Sequence, residues 1–474
     1  MRGGVINLSY AEKLLAPSIS KILLLLLVFE LSLLAAFVLA GSIPLIALAG
    51  LLVFLVFAYV FYRNSKYAVL SLIFSILLGP LAVVKIAGKA PSFLFLDVAL
   101  LVVVIVMAVR WPMSWDGIIK MHPIAISFCF FLCWGAATAL LAVDSSRAIV
   151  LLRNYFSGLV AFLLVYQAIQ TEKDVRQIYI ALLLWGTILS LLALSNLFQF
   201  GNLTVGIVNA FLYKNLIATS WGKSNYLAAF AVILIPLALA VFFTKTSRAV
   251  KWLTVGSLVL MTTALIVSLS RGGLIACFIA ALMVMVRYLR FRTLLPIFAL
   301  VLVVGLLALF NPLTSVLLER TSTLERSASV YSRLDFWKET WQIFQAHPLT
   351  GVGFGNLGYY AVFQTANYSS AHNLVLGLLG ETGVVGLMLF GILMLKTLQT
   401  LAQAIMQAKN DFTKHLSWGM LCAFCGALLH AMIEPNFEGS QFSVMVWTII
   451  GLGARLPDLA AEETASDTAL RANS

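Results

Sequence analysis

Residues 226–243 read YLAAFAVILIPLALAVFF, eighteen consecutive positions without a charge. About 20 apolar residues in a helix are what it takes to cross the hydrocarbon of a bilayer. Outward from this run, charge, Gly or Pro delimit similar stretches with cores near 22–40, 44–62, 67–84, 93–109, 124–143, 149–169, 176–199, 252–269, 273–289, 294–310, 373–395, 416–433 and 441–454. The pattern predicts an all-α polytopic membrane protein with about 12–14 transmembrane helices. Composition agrees, with 62% hydrophobic and 11% charged residues and a mean hydropathy of +1.01, where a soluble domain carries about 25% charged residues. No water-soluble fold hides that much apolar surface. No polar stretch is long enough to fold separately, so residues 1–474 read as a single membrane domain.

The net charge of +12 does not point to nucleic acid, because the basic residues form short groups between apolar runs instead of one polar surface. Their distribution sets orientation. With the N-terminus in the cytoplasm and sides alternating, 20 of the 31 Lys and Arg fall on the inner side, so both termini, including a tail at 456–474, are expected in the cytoplasm. The longest polar interruption, 311–372, then becomes an extracytoplasmic loop. Within it Leu334, Trp337, Trp341 and Phe344 recur at helical spacing, which predicts an amphipathic helix on the outer surface. The five cysteines all lie in apolar runs and read as small packing residues.

The same topology brings cations from separate stretches to the outer face. Arg271 stands where two spans meet, after Ser268-Leu269-Ser270 and before Gly272-Gly273. One reading is an arginine snorkelling from a helix end; the other is an anion clamp, since guanidinium holds phosphate oxygens bidentately and keeps its charge. His372, beside Asn373, opens a long apolar helix at the end of the loop. It reads either as a helix-start residue or as a base facing the compartment of Arg271 and Arg333. The glycine-rich stretch 347–356, HPLTGVGFGN, has no preceding strand and no following Lys-Ser/Thr, and reads as a turn that returns the loop to the membrane. Outer acidic residues are scattered, which argues against a metal site and assigns charge neutralisation to cationic side chains. Glu30, Asp97, Glu381 and Glu434 lie within or against spans and are expected either to bridge helices or to handle protons.

Together, Arg333 to Trp341, Pro348 to Gly353, His372-Asn373-Leu374 and Gly380 to Leu387 resemble the signature of the O-antigen ligase and polymerase superfamily. Ser270-Arg271-Gly272-Gly273 resembles that family's Ser-Arg-Gly element, and 222–228, GKSNYLA, resembles the stretch ahead of its Pro-containing span. The resemblance implies transfer of a glycan from an undecaprenyl-diphosphate donor to a hydroxyl of a glycolipid or saccharide acceptor, such as lipid A core. It places the active site on the periplasmic side of the bacterial inner membrane, with no metal or other cofactor. His372, Arg271 and Arg333 would then be catalytic, and Arg153, Lys223, Asn225, Trp337 and Asn373 would bind substrate; Arg153 matches the family's upstream basic element only loosely. Ligase, polymerase and protein O-glycosyltransferase differ by acceptor, for which the sequence has no motif. A lipid-linked glycan transporter is the rival from another class, but transporters show internal repeats and mid-membrane broken helices. No clear repeat is visible here.

Overall fold

The structure, a computed structural model, describes residues 58–78, 95–110, 121–200, 202–212, 224–289, 327–360 and 370–472. The expected spans 22–40 and 294–310, most of 44–62 and Lys223 lie outside these residues. Residues 1–68 with 101–112 form one compact unit, and residues 69–100 with 113–474 form another. The division falls within helices α1 (Ser65–Leu78) and α2 (Phe95–Arg110). The rest of the second unit contains α3 (Pro123–Ala139), α4 (Ser145–Ala168), α5 (Glu172–Ser195), α6 (Leu203–Leu212), α7 (Ser224–Phe242), α8 (Arg248–Val267) and α9 (Arg271–Val286). It continues with α10 (Ser327–Ala346), α11 (Leu357–Tyr360), α12 (Leu374–Gln407), α13 (Asp411–Ala431) and α14 (Ser440–Ala472).

Among the described residues, seven helices are long and apolar enough to cross a membrane. The protein is an all-α polytopic membrane protein. Helix α7, which holds the charge-free run, is apolar on every side and is accordingly buried from Leu227 to Ala238. It packs against α5, α8, α9, α13 and α14. Small residues bring neighbours close: a Cβ at Gly419 of α13 would stand 2.8 Å from Ala240, and one at Gly273 of α9 would stand 2.6 Å from Ala228. Close backbone approach of this kind is the usual packing device where lipid removes the hydrophobic drive between helices. Helices α4 and α14 run parallel, with Gly158 against Ser443 and Trp447 and Gly451 against Phe162 and Val165. The tail expected from 456 continues α14 as helix to Ala472, held by Arg455, which donates to the carbonyl of Ile169 at 2.8 Å and to Glu462 at 2.8 and 3.0 Å.

Helix α12 is broken at Gly383 (φ 68°, ψ −173°). A break inside a span frees backbone groups that lipid cannot satisfy. The glycine-rich stretch 348–356 supplies the partners. Val352 and Gly353 donate their N–H groups to the carbonyls of Gly380 and Glu381 at 3.0 and 2.8 Å, and Val384 donates to the carbonyl of Pro348 at 2.9 Å. Trp134 of α3 donates its indole N–H to the carbonyl of Thr382 at 2.8 Å. On its other side the stretch is fastened to the α3–α4 turn: Asn356, fully buried, accepts from the N–H of Asp144 at 2.8 Å and donates to its carbonyl at 3.1 Å. The stretch is a plug for the broken helix.

Helix α10 forms where helical spacing predicts it. Phe336 and Ile343 join Val352, Leu357 and Ala371 in a small core, whereas Leu334 and Trp341 are exposed. Of the stripe Leu334, Trp337, Trp341 and Phe344, Trp337 and Phe344 are half-buried and the other two face outward.

At Gly383 a Cβ would lie 2.2 Å from the carbonyl oxygen of Leu349 and would force a side chain into a glycine-only conformation. Gly383→Ala is expected to cost about 2 kcal/mol or more, whereas Gly391→Ala, with nothing within 4 Å, is expected to be neutral. Thermal unfolding in detergent compares the two; equal midpoints would contradict the plug.

Candidate functional site

After α13 the chain turns tightly through 432–439, with the N–H of Glu434 donating to the carbonyl of His430 at 2.9 Å and that of Asn436 to the carbonyl of Glu434 at 2.8 Å. This turn presents the carboxylate of Glu434 to three other stretches. Its Oε2 accepts from Asn225 Nδ2 at 2.9 Å and lies 3.4 Å from Arg333 Nη2 and 3.5 Å from His372 Nδ1. The Glu434 side chain is 12% exposed, Arg333 26% and His372 33%, so the pairing is only partly screened by solvent. Burial raises the affinity of Glu434 for a proton, but the His372 hydrogen bond and the charges of His372 and Arg333 outweigh it and hold the carboxyl below its ordinary range.

Each partner is itself fixed. Asn225, near the start of α7, accepts from Ser270 Oγ at 3.0 Å, which ties α7 to the N-cap of α9. The turn into α9 passes through Leu269 at φ 53°. Arg271 is the first residue of α9 and is exposed, while a Cβ at the adjacent Gly272 would stand 3.3 Å from Ile433. Arg271 thus flanks the turn that carries Glu434. His372 has φ 49°, a conformation unusual outside glycine. It is held there by neighbours on both sides: Trp337 donates to the carbonyl of Ala371 at 3.0 Å, and Asn373 caps α12 by accepting from the N–H of Leu376 at 3.0 Å. Asn373 also donates to the carbonyl of Met432 at 3.0 Å, joining the start of α12 to the Glu434 turn. Phe336 stacks with the His372 ring at 6.4 Å between centroids.

The structure therefore brings His372, Arg333, Asn225 and Asn373 to one turn, and Arg271 to its edge. Arg153 donates to Asn154 Oδ1 at 3.1 Å, and Asn154 donates to the carbonyl of Glu438 at 2.8 Å, so Arg153 is attached to the far end of the same turn. Trp337 and Asn373, expected as binding residues, spend the polar groups just named on protein partners and act here to fix His372. Sequence reasoning missed Glu434 as the hub. Its signal, a carboxylate directly after an apolar span, was present, but its partners are far off in sequence. Among the described residues no group of three or more His, Cys, Asp or Glu is arranged to hold a metal ion. What the arrangement offers instead is an imidazole and a guanidinium sharing a carboxylate, with a second guanidinium alongside.

Residues 256–391 match the family model described as Wzy_C, O-Antigen ligase. Over that stretch the chain is similar to the O-antigen ligase family. No curated protein matches it. The matched segment contains Arg271, Arg333, Trp337, His372 and Asn373, together with the whole plug and the broken helix as far as residue 391. The O-antigen ligase superfamily consists of enzymes of ligase and polymerase type, whose partners are a lipid-linked glycan and an acceptor. Asn225, Arg153 and Glu434 lie outside the ligase match and enter the site through geometry alone.

Removing the charge of Glu434 leaves Arg333 and His372 without their common partner. Glu434→Gln is expected to cost about 1–3 kcal/mol at neutral pH, less than a fully buried pair because of partial exposure. A carboxyl with a depressed folded-state pKa stabilises above its unfolded value and loses that contribution as pH falls. The difference between wild type and variant should therefore shrink progressively as pH falls below about 4.5. Denaturation in detergent across pH measures this, and a constant difference down to low pH would contradict the ion pairing.

Proposed function

We propose that this enzyme transfers a glycan from undecaprenyl diphosphate to an acceptor hydroxyl, lipid A core or a similar glycolipid, at the periplasmic face of the bacterial inner membrane. The observation that carries the reading is that Arg333 and His372, both in the stretch similar to O-antigen ligases, converge on one oxygen of Glu434 beside Arg271. Both termini, and the helical end of α14, are then cytoplasmic, and 311–372 is periplasmic.

In this reading His372 takes the proton of the acceptor hydroxyl, and Glu434 favours the resulting imidazolium. The hydroxyl oxygen forms a bond to the anomeric carbon as the bond to the diphosphate oxygen breaks, and the electron pair leaves with the lipid diphosphate. Charge develops on that diphosphate in the transition state, where fixed guanidinium groups help most. Arg271, exposed at the helix start, and Arg333 take this role without a metal ion, with Lys223 and Arg153 extending the cationic surface. Asn225 holds Glu434, and Trp337 and Asn373 hold His372. A donor already confined to the bilayer plane meets the site with little further loss of freedom. A polymerase or a protein O-glycosyltransferase would use the same arrangement with a different acceptor.

Purified protein with an undecaprenyl-diphosphate-linked glycan tests the reading, with lipid A core and a lipid-linked repeat offered separately. Wild type is expected to transfer to one of them, His372→Ala to lose roughly 100-fold or more, and Arg271→Ala to lose activity while folding normally. Full transfer by folded Arg271→Ala would remove the diphosphate clamp, and no transfer by wild type to either acceptor would reject this donor and acceptor pair.

A further inference from the structure

The turn that carries Glu434 ends in a second carboxyl, Glu438, which the reaction above does not use. Its Oε1 stands 3.7 Å from the point where a Cβ at Gly377 would be. Glu381 lies one helical turn further along the same face of α12, so the two carboxyls share one interior space. Glu381 is 2% exposed. Tyr155 occupies the same region. It adjoins Asn154, which donates to the Glu438 carbonyl, and its ring packs at 5.4 Å on Phe354, whose neighbour Gly355 provides a backbone N–H to Glu381. The hydroxyl of Tyr155 is fully buried and has no hydrogen-bond partner among the described residues.

Two carboxylates cannot both stay ionised in such a space without a cation between them. The groups that face Glu438 are Glu434 on its own turn, Glu381 from α12, Tyr155 from α4, Tyr226 from α7 and His430, through Asn436, from α13. None of these is a fixed cation; of the two arginines nearby, Arg333 is engaged with Glu434, and Arg153 donates to Asn154, which meets the backbone carbonyl of Glu438 and not its carboxyl.

Resting on the functional reading above, we propose that half-buried Glu438, with buried Glu381 and Tyr155, forms an interior acid site that holds a proton and so leaves Glu434 as the ionised carboxylate facing Arg333 and His372. Glu438 is a positioning residue. As the neutral acid it can donate to a neighbouring oxygen, and it leaves the charge of the turn to Glu434. Once ionised, it adds a second negative charge to the same short turn. That charge competes with the donor diphosphate for the arginines and strains the contact with Glu381. Burial, and then the charge of Glu434, push the Glu438 carboxyl up to about 8, so the neutral acid persists at neutral pH and is lost above it.

Infrared difference spectroscopy of the purified protein, titrated from neutral to alkaline pH, reads the acid directly. The carbonyl stretch of a protonated carboxyl is expected to bleach with a midpoint of about 8 and to be missing at that frequency in Glu438→Gln. A wild-type spectrum with no such bleaching overturns the proposal, whether or not the variant folds. In the transfer assay, wild-type rate is expected to fall through the same midpoint, chiefly as a rise in KM for the lipid diphosphate. The ratio of alkaline to neutral rate should rise in Glu438→Gln, because glutamine stays neutral throughout. An unchanged ratio overturns the positioning role. If wild type transfers nothing, the functional reading fails, while the infrared titration still decides the acid site.

Discussion

One oxygen atom, Oε2 of Glu434, is shared by the start of α7, helix α10 and the residue before the cap of α12. Each of those segments brings a polar or charged side chain out of a largely apolar molecule, and each would carry a cost if left unpartnered. The carboxylate resolves these costs at one place. The surrounding geometry follows from it: Asn225 draws in the cap of α9 and hence Arg271, and Asn373 fastens α12 to Met432 two residues away. A site assembled in this way is held by protein contacts before any substrate arrives, which is the condition for electrostatic catalysis to avoid reorganisation during reaction.

The second constraint is the broken helix. A glycine at φ 68° interrupts α12 where lipid offers no hydrogen bonds, and the chain answers with a plug from a different region. The plug also reaches the α3–α4 turn through Asn356. Three segments are locked together along α12, the helix that Asn373 caps, and buried Glu381 lies on that helix with half-buried Glu438 facing it. The Glu434 turn and this interior pair of carboxyls are thus two sides of one joint.

Much of this was legible in the sequence, for identifiable reasons. Apolar length alone located α4, α5, α7, α8, α9 and α12. His372 and Arg271 were singled out because a titratable or cationic residue at the edge of a span is costly and rarely incidental, and Arg333 by its place in the outer loop and the family resemblance. Glu434 was noticed on the same ground, but its role was not, since Arg333 lies 101 and Asn225 lies 209 residues away and no local pattern encodes such pairings. The stripe of α10 was read at the helical period. Periodicity shows that a helix has faces, but not which one meets the protein, and Phe336 and Ile343 proved to be the contact side. The stretch 347–356 was read as a turn, yet nothing in its own residues reveals the broken helix that it completes.

The plug also has a consequence for how the protein is made. Residues 348–356 precede α12 in the chain, yet the hydrogen-bonding defect that they close does not exist until α12 has entered the bilayer. Spans can insert one after another on hydropathy alone, but the segment around Gly383 stays incomplete until the preceding stretch docks on it and α3 contributes Trp134. Biogenesis therefore has an order, insertion first and sealing second, and an immature chain would be embedded in the membrane with its broken helix still open.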